Sequence, residues 1–163
     1  MNKAVFFDRD GVLNVDKGYQ FKISTFEWIP GAKRAIKLLN ELDYLVIVIT
    51  NQSGVSRGYY NENHVKILHN WMNEELKKQN ALINDFFYST EMPSKEKNPK
   101  SRRKPNPIMI FEAMKKYSIS KKKSFLVGDK ESDIKTAENA NIRGYLFKEE
   151  NLFKRVTEIL KEL

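Results

Sequence analysis

Five apolar runs of strand length alternate with segments of helical spacing, and this alternation constrains the fold of the chain more than any other feature. The runs lie at about residues 3–7, 44–49, 85–88, 123–127 and 143–147. The spacing of apolar residues predicts helices near 31–42, 61–79, from about Pro107, near 131–140 and near 151–162. Strands that alternate with helices pair in parallel through right-handed crossovers. The sequence therefore predicts a three-layer α/β sandwich on a mainly parallel, five-stranded, Rossmann-like sheet.

Length and composition indicate one folding unit in a reducing compartment. The 163 residues, 40% of them hydrophobic, suffice for one core, so we expect a single domain over residues 1–163. The chain has no cysteine, which excludes disulfides and thiolate-bound metal centres. No apolar stretch reaches the ~20 residues that cross a bilayer, and Met1-Asn2-Lys3 leads directly into the first strand rather than into a signal-peptide core. We expect a cytoplasmic monomer with no membrane partner.

The net charge does not select a partner by itself. The formal charge of +8 arises from 29 basic and 21 acidic residues, and much of the excess lies in two clusters, Lys95 to Lys104 and Lys121 to Lys123. Such a charge suits nucleic acid, an acidic membrane face or small phosphorylated substrates, and charge runs also serve simply as solvated surface. Composition leaves these alternatives open.

Polar residues follow three of the predicted strands at the point where each strand ends. The first strand is followed by Asp8 and Asp10 in DRDGVLN, the second by Thr50 in TNQSG, and the fourth by Asp129 and Asp133 in GDKESD. Parallel strands bring their carboxyl ends to one edge of the sheet, where open α/β folds bind ligands. We therefore expect these side chains to converge although they are far apart in sequence.

The converging groups suit magnesium-dependent phosphoryl transfer. Asp8 can attack phosphorus while binding the metal, and Asp10 can act as acid and base if its side chain stays off the metal. The Thr50 hydroxyl and the backbone N–H groups at Asn51 can bind the non-bridging oxygens, while Lys104 can offset the negative charge around Asp8. The residues expected at the Mg²⁺ site are Asp8, Asp10 and Asp129, with Asp133 as a further candidate.

Each motif also has a purely structural explanation. Asp-x-Asp-Gly and TNQSG are common turn sequences, the GDK segment can cap a helix, and Arg102-Arg103-Lys104 can be a solvated basic run. A calcium loop is excluded because an EF-hand places its glycine sixth, whereas Gly11 is fourth counting from Asp8. The motifs in this order, at these strand ends, favour the catalytic interpretation.

Four strings of the sequence together resemble the motifs of one enzyme superfamily. They are DRDGVLN with the following DKGY at Asp16 to Tyr19, TNQSGVSRGYY from Thr50, RRKPNP from Arg102, and VGDKESD from Val127. The combination resembles the haloacid dehalogenase (HAD) superfamily of phosphohydrolases. More narrowly, it is similar to the D-glycero-D-manno-heptose 1,7-bisphosphate phosphatase group and to the histidinol-phosphate phosphatases. The resemblance covers nearly the whole chain.

The resemblance implies a HAD-type fold without a large cap domain and assigns roles to individual residues. Asp8 would be the nucleophile and Asp10 the acid and base. Thr50 and Lys104 would hold the phosphoryl group, and Asp129 would complete the magnesium site. Further phosphate or substrate contacts are implied for nine residues: Asp16, Lys17, Gly18, Tyr19, Asn51, Gln52, Ser53, Arg103 and Lys130.

The chain departs from this family pattern ahead of the lysine motif. The resemblance implies a structural zinc there, bound by three cysteines and one histidine. The corresponding segment, Tyr88 to Lys104, contains neither residue type, and Arg102 and Ile108 stand where a cysteine and a glycine are expected. Tetrahedral zinc cannot be built from Lys, Asn, Ser and Arg. We therefore expect a shortened loop with no structural zinc.

The leading hypothesis is a phosphatase that hydrolyses a small sugar phosphate through an aspartyl-phosphate, with the C7 phosphate of heptose bisphosphate as the favoured substrate. Histidinol phosphate is the nearest competing substrate. A nucleic-acid 3′-phosphatase would use the basic charge, but we expect no nucleic-acid partner.

Two non-enzymatic hypotheses fit the sequence less well than the phosphatase hypothesis. A response-regulator receiver would carry its phosphate-accepting acid after the third strand, where Ser89 and Thr90 stand. A phosphosugar-binding pseudoenzyme would be expected to lack Asp8 or Asp10, and both are present. His64 and His69 are five residues apart on a predicted helix and do not share a face, so we expect surface or packing roles away from the acidic edge.

Overall fold

Strands and helices alternate along the chain as the apolar pattern predicts. The computed structural model describes residues 1–163. Its strands are β1 (Lys3–Phe7), β2 (Tyr44–Asn51), β3 (Asp85–Ser89), β4 (Phe125–Gly128) and β5 (Arg143–Leu146). Its helices are α1 (Ala32–Glu41), α2 (Glu62–Lys77), α3 (Ile108–Tyr117), α4 (Glu131–Ala140) and α5 (Leu152–Glu162).

The five strands form one parallel sheet in the order β3-β2-β1-β4-β5. β1 is the central strand, and the chain adds β2 on one side of it and β4 on the other. Such a reversal of strand order opens a crevice outside the carboxyl ends of the strands, which is where open α/β sheets bind ligands. The predicted three-layer architecture is confirmed, and the crevice lies at the end of β1.

Helices cover both faces of the sheet and bury an alternating set of strand side chains. Val5 and Phe7 of β1 belong to one hydrophobic cluster, whereas Ala4 and Phe6 belong to the other. Helices α1, α2 and α5 contribute to the first cluster, and α3 and α4 contribute to the second. Because both faces of the sheet are covered, the strand sequences are nearly continuous apolar runs and do not alternate between apolar and polar residues.

Most predicted boundaries differ from the structure by no more than one or two residues, and two of these differences have a clear physical reason. β4 begins at Phe125 rather than at residue 123, because Lys121–Lys123 form a short 3-10 turn. Three consecutive lysines keep their ammonium groups in water more easily on a turn than inside a buried strand. Pro107 lies just before α3, at its N-cap position, and not in its first turn. None of the helices combines the length and the apolar character that crossing a membrane would require.

Two long loops leave the carboxyl edge of the sheet and return over the end of β1. In the loop between β1 and α1, Asn14 forms isolated bridges with Asp10 and with Trp28, so this segment folds back onto the DRDG motif. The loop between β3 and α3 carries Arg103 and Lys104. Both loops therefore bring polar side chains to the crevice, as expected for long loops in a compact domain.

Candidate active site

A cavity of about 290 Å³ opens at the carboxyl edge of the sheet. Its walls come from the ends of β1 and β2, the start of α4 and the two long loops. Of the predicted site residues, all but three line this cavity: Asp8, Asp10, Asp16, Gly18, Tyr19, Asn51, Gln52, Ser53, Arg103, Lys104, Lys130 and Asp133. The convergence expected from the strand ends is therefore present.

The three remaining predicted residues occupy different positions. Thr50 is fully buried near the end of β2, and its Oγ1 accepts a hydrogen bond of 2.9 Å from Gln52 Nε2. Asp129 lies beside Asp8. Lys17 turns away, because its Nζ donates to the Thr25 carbonyl at 2.8 Å. The structure therefore does not bring Lys17 into the cavity with the other predicted residues.

The reason for the position of Lys17 is a tight turn. Asp16 Oδ1 accepts a hydrogen bond of 3.0 Å from the Gly18 amide, and Gly18 has a φ of 74°. Such an aspartate turn, with a left-handed glycine two residues on, reverses the chain direction. Asp16 and Gly18 consequently face the cavity, while the residue between them points outward.

Asp8 is held by two nitrogen donors on the same oxygen. Lys104 Nζ lies 2.9 Å from Asp8 Oδ1, and the Arg9 amide donates to that oxygen at 2.9 Å. Asp8 and Lys104 are both buried, at 6% and 5% exposure. The second oxygen, Oδ2, has no nitrogen donor. Asp8 therefore has one oxygen fixed by two nitrogen donors and one oxygen with none.

Asp133 binds Lys104 and the backbone of the turn after β4. Its Oδ1 accepts from Lys104 Nζ at 2.7 Å, and its Oδ2 accepts from the amides of Asp129 and Lys130, each at 3.2 Å. The two amides are at the N-terminus of α4, where a carboxylate is favoured by the helix dipole. Lys104 Nζ is therefore held between the buried carboxylates of Asp8 and Asp133. Both oxygens of Asp133 accept hydrogen bonds.

The carboxylates around Lys104 fit a hard divalent cation. Asp8, Asp129 and Asp133 each offer an oxygen, and these oxygens lie within 4.8 Å of one another. Asp129 Oδ1 is buried and has no hydrogen-bond partner. Magnesium takes oxygen ligands of this kind and keeps several waters. The unpaired oxygen of Asp129 and the Oδ2 of Asp8, which has no nitrogen donor, are thus suited to hold it.

The local electrostatics also favour a cation. Burial raises the pKa of Asp8 well above its ordinary value, the Lys104 ammonium opposes this, and the neighbouring Asp133 adds to it. Burial likewise raises the pKa of the Asp129 carboxyl. The pKa of Lys104 is raised, because the attraction of Asp8 and Asp133 outweighs its burial. One lysine cannot balance three carboxylates, so the cluster lacks positive charge.

Asp10 is held as an anion by three donors. Its Oδ1 accepts from Arg9 NH2 at 3.1 Å and from Asn14 Nδ2 at 3.0 Å, and its Oδ2 accepts from Gln52 Nε2 at 3.1 Å. Burial alone would raise the pKa of Asp10, but the Arg9 charge and these hydrogen bonds outweigh it, so the pKa is lowered. The side chain of Asp10 is thus fixed in the cavity wall, apart from the Asp8–Asp129 cluster.

Several site residues escape sequence reasoning. Tyr60 and Ser132 line the cavity, and Tyr60 Oη donates to Gln52 Oε1 at 2.5 Å. Tyr60 could have been found, since it belongs to the RGYY string. Arg9 is fully buried and its NH1 lies 3.2 Å from His69 Nε2. The packing role expected for His69 is confirmed, but its expected distance from the acids is wrong, because it touches the arginine that binds Asp10.

The loop ahead of Lys104 does not fit a zinc site and is closed by polar contacts. Glu91 Oε2 accepts from Ser89 Oγ at 3.1 Å and from the Arg102 amide at 2.8 Å. Arg102 Nε donates to Glu112 Oε1 at 2.8 Å, and its NH1 donates to the Tyr88 carbonyl at 2.5 Å. Arg103 NH1 donates to the Glu91 carbonyl at 3.0 Å. We call these contacts the Glu91–Arg102 network.

Comparison with known proteins finds relatives that all belong to one class of enzyme. A family model described as HAD-hydrolase-like matches residues 101–156. The D-glycero-alpha-D-manno-heptose-1,7-bisphosphate 7-phosphatase of Photorhabdus laumondii is 42% identical over 144 residues, covering 86% of this chain and 79% of that protein. The beta-anomer 7-phosphatase of Rhodopseudomonas palustris is 37% identical over 164 residues, covering 98% of this chain and 91% of its own.

A solved structure shares the whole fold. The D,D-heptose 1,7-bisphosphate phosphatase of B. bronchiseptica, crystallised with magnesium and phosphate, superposes with a TM-score of 0.85 over 100% of both chains at 24% identity. Fold, site and relatives together define an HAD-type phosphatase, an enzyme that hydrolyses phosphoric monoesters. Among these enzymes, the chain belongs to the group that contains the heptose bisphosphate phosphatases.

Proposed function

We propose that this chain is a magnesium-dependent phosphatase that removes the C7 phosphate of D-glycero-D-manno-heptose 1,7-bisphosphate through an aspartyl-phosphate on Asp8. The observation that carries the proposal is the buried Asp8, whose Oδ1 is held by Lys104 at 2.9 Å while its Oδ2 has no nitrogen donor. The names of the relatives support the substrate, since both are heptose bisphosphate 7-phosphatases.

In the first half-reaction Asp8 Oδ2 attacks the phosphorus atom. The new bond joins Oδ2 to phosphorus, and the bond between phosphorus and the sugar oxygen breaks. Asp10 gives its proton to the leaving oxygen, which departs as an alcohol. Thr50 Oγ1 accepts from Gln52 Nε2, which leaves its own hydroxyl hydrogen free to bind a phosphoryl oxygen.

In the second half-reaction water attacks the phosphorus of the aspartyl-phosphate. Asp10 takes a proton from that water, the bond between phosphorus and Asp8 breaks, and inorganic phosphate leaves. Asp10 ends this step protonated and is ready for the next substrate. Lys104 and the Arg9 amide remain on Asp8 Oδ1 throughout, so the nucleophile keeps its orientation.

The protonation of Asp10 depends on the substrate. Without substrate, the Arg9 charge and the hydrogen bonds of Asn14 and Gln52 overcome burial and lower the pKa of Asp10. A phosphate dianion placed beside this carboxylate disfavours its charged form and raises the pKa. Substrate binding thereby prepares Asp10 as an acid. Magnesium, held by Asp8 and Asp129, would supply neutralisation of charge on the phosphoryl oxygens.

The shape and charge of the cavity favour a small phosphorylated sugar over nucleic acid. Its volume of about 290 Å³ is at the lower end of the range for ligand sites. Only three basic residues line it: Arg103, Lys104 and Lys130. The remaining basic residues of the Lys95–Lys104 cluster do not line the cavity. Asp16 and Ser53 line the cavity with polar groups that would bind sugar hydroxyls. We place this reaction in the cytoplasm.

Phosphate release tests the proposal directly. The assay compares both anomers of heptose 1,7-bisphosphate with histidinol phosphate and a 3′-phosphorylated oligonucleotide, each with and without Mg²⁺. We expect the highest kcat/KM with a heptose bisphosphate. Asp8→Asn should lower kcat by at least ~10³-fold, since loss of a nucleophile has effects of this order or larger. Preference for another ester would overturn the substrate, and retained activity in Asp8→Asn would overturn the covalent mechanism.

A further inference from the structure

His69 is a buried histidine that the proposed chemistry does not use. It lies on α2, is 4% exposed, and stacks on the Phe86 ring of β3 with the ring centroids 4.2 Å apart and the planes 11° apart. The stacking fixes the plane of the imidazole. The orientation of its two nitrogens is therefore set by the fold and not by solvent.

The imidazole faces the one cation that contacts Asp10. Arg9 NH1 lies 3.2 Å from His69 Nε2. A guanidinium can only donate hydrogen bonds, so Nε2 must be the acceptor and the ring hydrogen must lie on Nδ1. Burial, and then the adjacent Arg9 charge, keep the pKa of His69 well below its usual range, which maintains this neutral form.

The guanidinium of Arg9 depends on few acceptors. NH2 donates to Asp10 Oδ1 at 3.1 Å and to the Gln20 carbonyl at 2.7 Å, whereas Nε is buried without any partner. His69 Nε2 is the only acceptor for NH1. Without it, a fully buried NH1 would have no hydrogen bond, and the guanidinium would gain by turning towards another acceptor. Such a rotation would move NH2 away from Asp10.

We infer that His69 is a positioning residue: its Nε2 orients Arg9 so that Arg9 NH2 holds Asp10 where it can protonate the leaving oxygen. The inference rests on the proposed role of Asp10. It assigns to a histidine of α2 the task of fixing an acid in the loop after β1 through an intermediate arginine. His69 itself contacts neither substrate nor metal.

The test compares two phosphate esters with different leaving groups. An alkyl phosphate needs a proton on its leaving oxygen, whereas 4-nitrophenyl phosphate releases a stable anion without one. Because kcat/KM reports the step that forms the aspartyl-phosphate, a misplaced acid should slow the alkyl ester selectively. The alkyl ester used is the sugar phosphate that wild-type enzyme hydrolyses best, so a failure of the substrate proposal does not affect this test.

Three substitutions separate positioning from stability. His69→Leu removes the acceptor and should lower kcat/KM for the sugar phosphate by about 10- to 100-fold, part of the ~10²- to 10⁴-fold that acid catalysis contributes. Its kcat/KM for 4-nitrophenyl phosphate should fall less than about threefold, since the leaving group of that ester needs no acid catalysis. His69→Gln retains an acceptor oxygen and should restore most of the activity. His64→Gln, on the same helix, is the matched control and should behave as wild type.

The inference fails if His69→Leu slows both esters equally, if it slows neither, or if His69→Gln is no better than His69→Leu.

A measurement on the wild-type protein covers the case in which His69→Leu does not fold. The chain has only two histidines, so ¹⁵N spectra of histidine-labelled protein contain two rings, and His64→Gln assigns them. We expect an unprotonated Nε2 on His69, and a proton on that nitrogen would overturn the inference.

Discussion

Gly11 shows how the absence of a side chain shapes the site. Its φ is 89°, and a Cβ built on it would lie 2.1 Å from Asp129 Oδ2. An alanine would strain the backbone by roughly 1–2 kcal/mol and would also displace the Asp129 carboxylate. We therefore expect Gly11→Ala to weaken Mg²⁺ activation at least about 10-fold, the scale on which misplaced metal ligands act. The measurement is the Mg²⁺ concentration that gives half-maximal phosphate release.

Gly58 provides the matched control for this substitution. Its φ is 79°, but a Cβ there would have no heavy atom within 4 Å. Gly58→Ala should carry the same backbone strain and a comparable loss of stability without any change in Mg²⁺ activation. If both alanine variants shifted the Mg²⁺ requirement equally, the contact between Gly11 and Asp129 would have no part in metal binding.

The site residues that the apolar pattern alone predicts are those that follow strands directly. Asp8, Asp10 and Asp129 come immediately after buried apolar runs, so a local pattern together with the parallel sheet predicts that they meet. His69 lies in the middle of a helix, and its contact with Arg9 depends on how α2 packs against the sheet. Local spacing carries no information about that packing. The direction of Lys17 is hidden for a related reason, because the turn at Gly18 decides which way it points.

At the scale of elements, the β3–α3 loop is stabilised by the Glu91–Arg102 network. Burial raises the pKa of Glu91, but the Ser101 hydroxyl, the Arg102 amide and the Ser89 hydroxyl outweigh it, so the pKa is lowered from 4.5. A carboxyl with a lowered folded-state pKa stabilises the fold above its unfolded pKa and loses this contribution as the pH falls through the folded value. The ionised form of Glu91 therefore stabilises the fold at neutral pH.

Glu91→Gln should reveal this contribution in its pH dependence. The free energy of unfolding, measured with denaturant between pH 3 and pH 7, should be lower in the variant above about pH 5, where glutamate is ionised in either state. The difference from wild type should shrink as the pH falls below 4.5. Glu96→Gln, an exposed position in the same loop, should stay within about 0.5 kcal/mol of wild type. A Glu91→Gln difference that did not vary with pH would contradict the assigned charge effect.

Element boundaries were predictable only where the apolar pattern ends abruptly. β1 ends at Phe7 because two acids follow within three residues, and the sequence places that end correctly. The start of β4 was predicted two residues early, since Lys123 precedes the apolar run without a turn signal of its own. The contacts of Arg102 with Glu112 and with the Tyr88 carbonyl join segments that only the folded loop brings together.

At the scale of the whole molecule, apolar packing joins the layers and is separate from the acidic cluster that suits a metal. Helices cover both faces of the sheet with apolar side chains, and the loop that a zinc would organise is closed by hydrogen bonds. The excess of negative charge described above is local: three carboxylates lie around the single ammonium of Lys104. Metal ions should therefore stabilise the protein locally, through Asp8 and Asp129, and not by holding its layers together.

This separation predicts different responses to two kinds of chelator. Saturating Mg²⁺ at about 100 times its Kd should stabilise the protein by ~2.7 kcal/mol, which corresponds to a rise in Tm of roughly 5–10 °C for a chain of this size. A zinc-selective chelator should change neither Tm nor activity, whereas EDTA should abolish phosphate release and leave the protein folded. Asp129→Asn should lose the Mg²⁺-induced rise without a lower Tm in metal-free buffer, because it removes one of three crowded carboxylates. An undiminished rise in Asp129→Asn would place the metal elsewhere, and unfolding by the zinc chelator would show that the Glu91–Arg102 network does not close the loop alone.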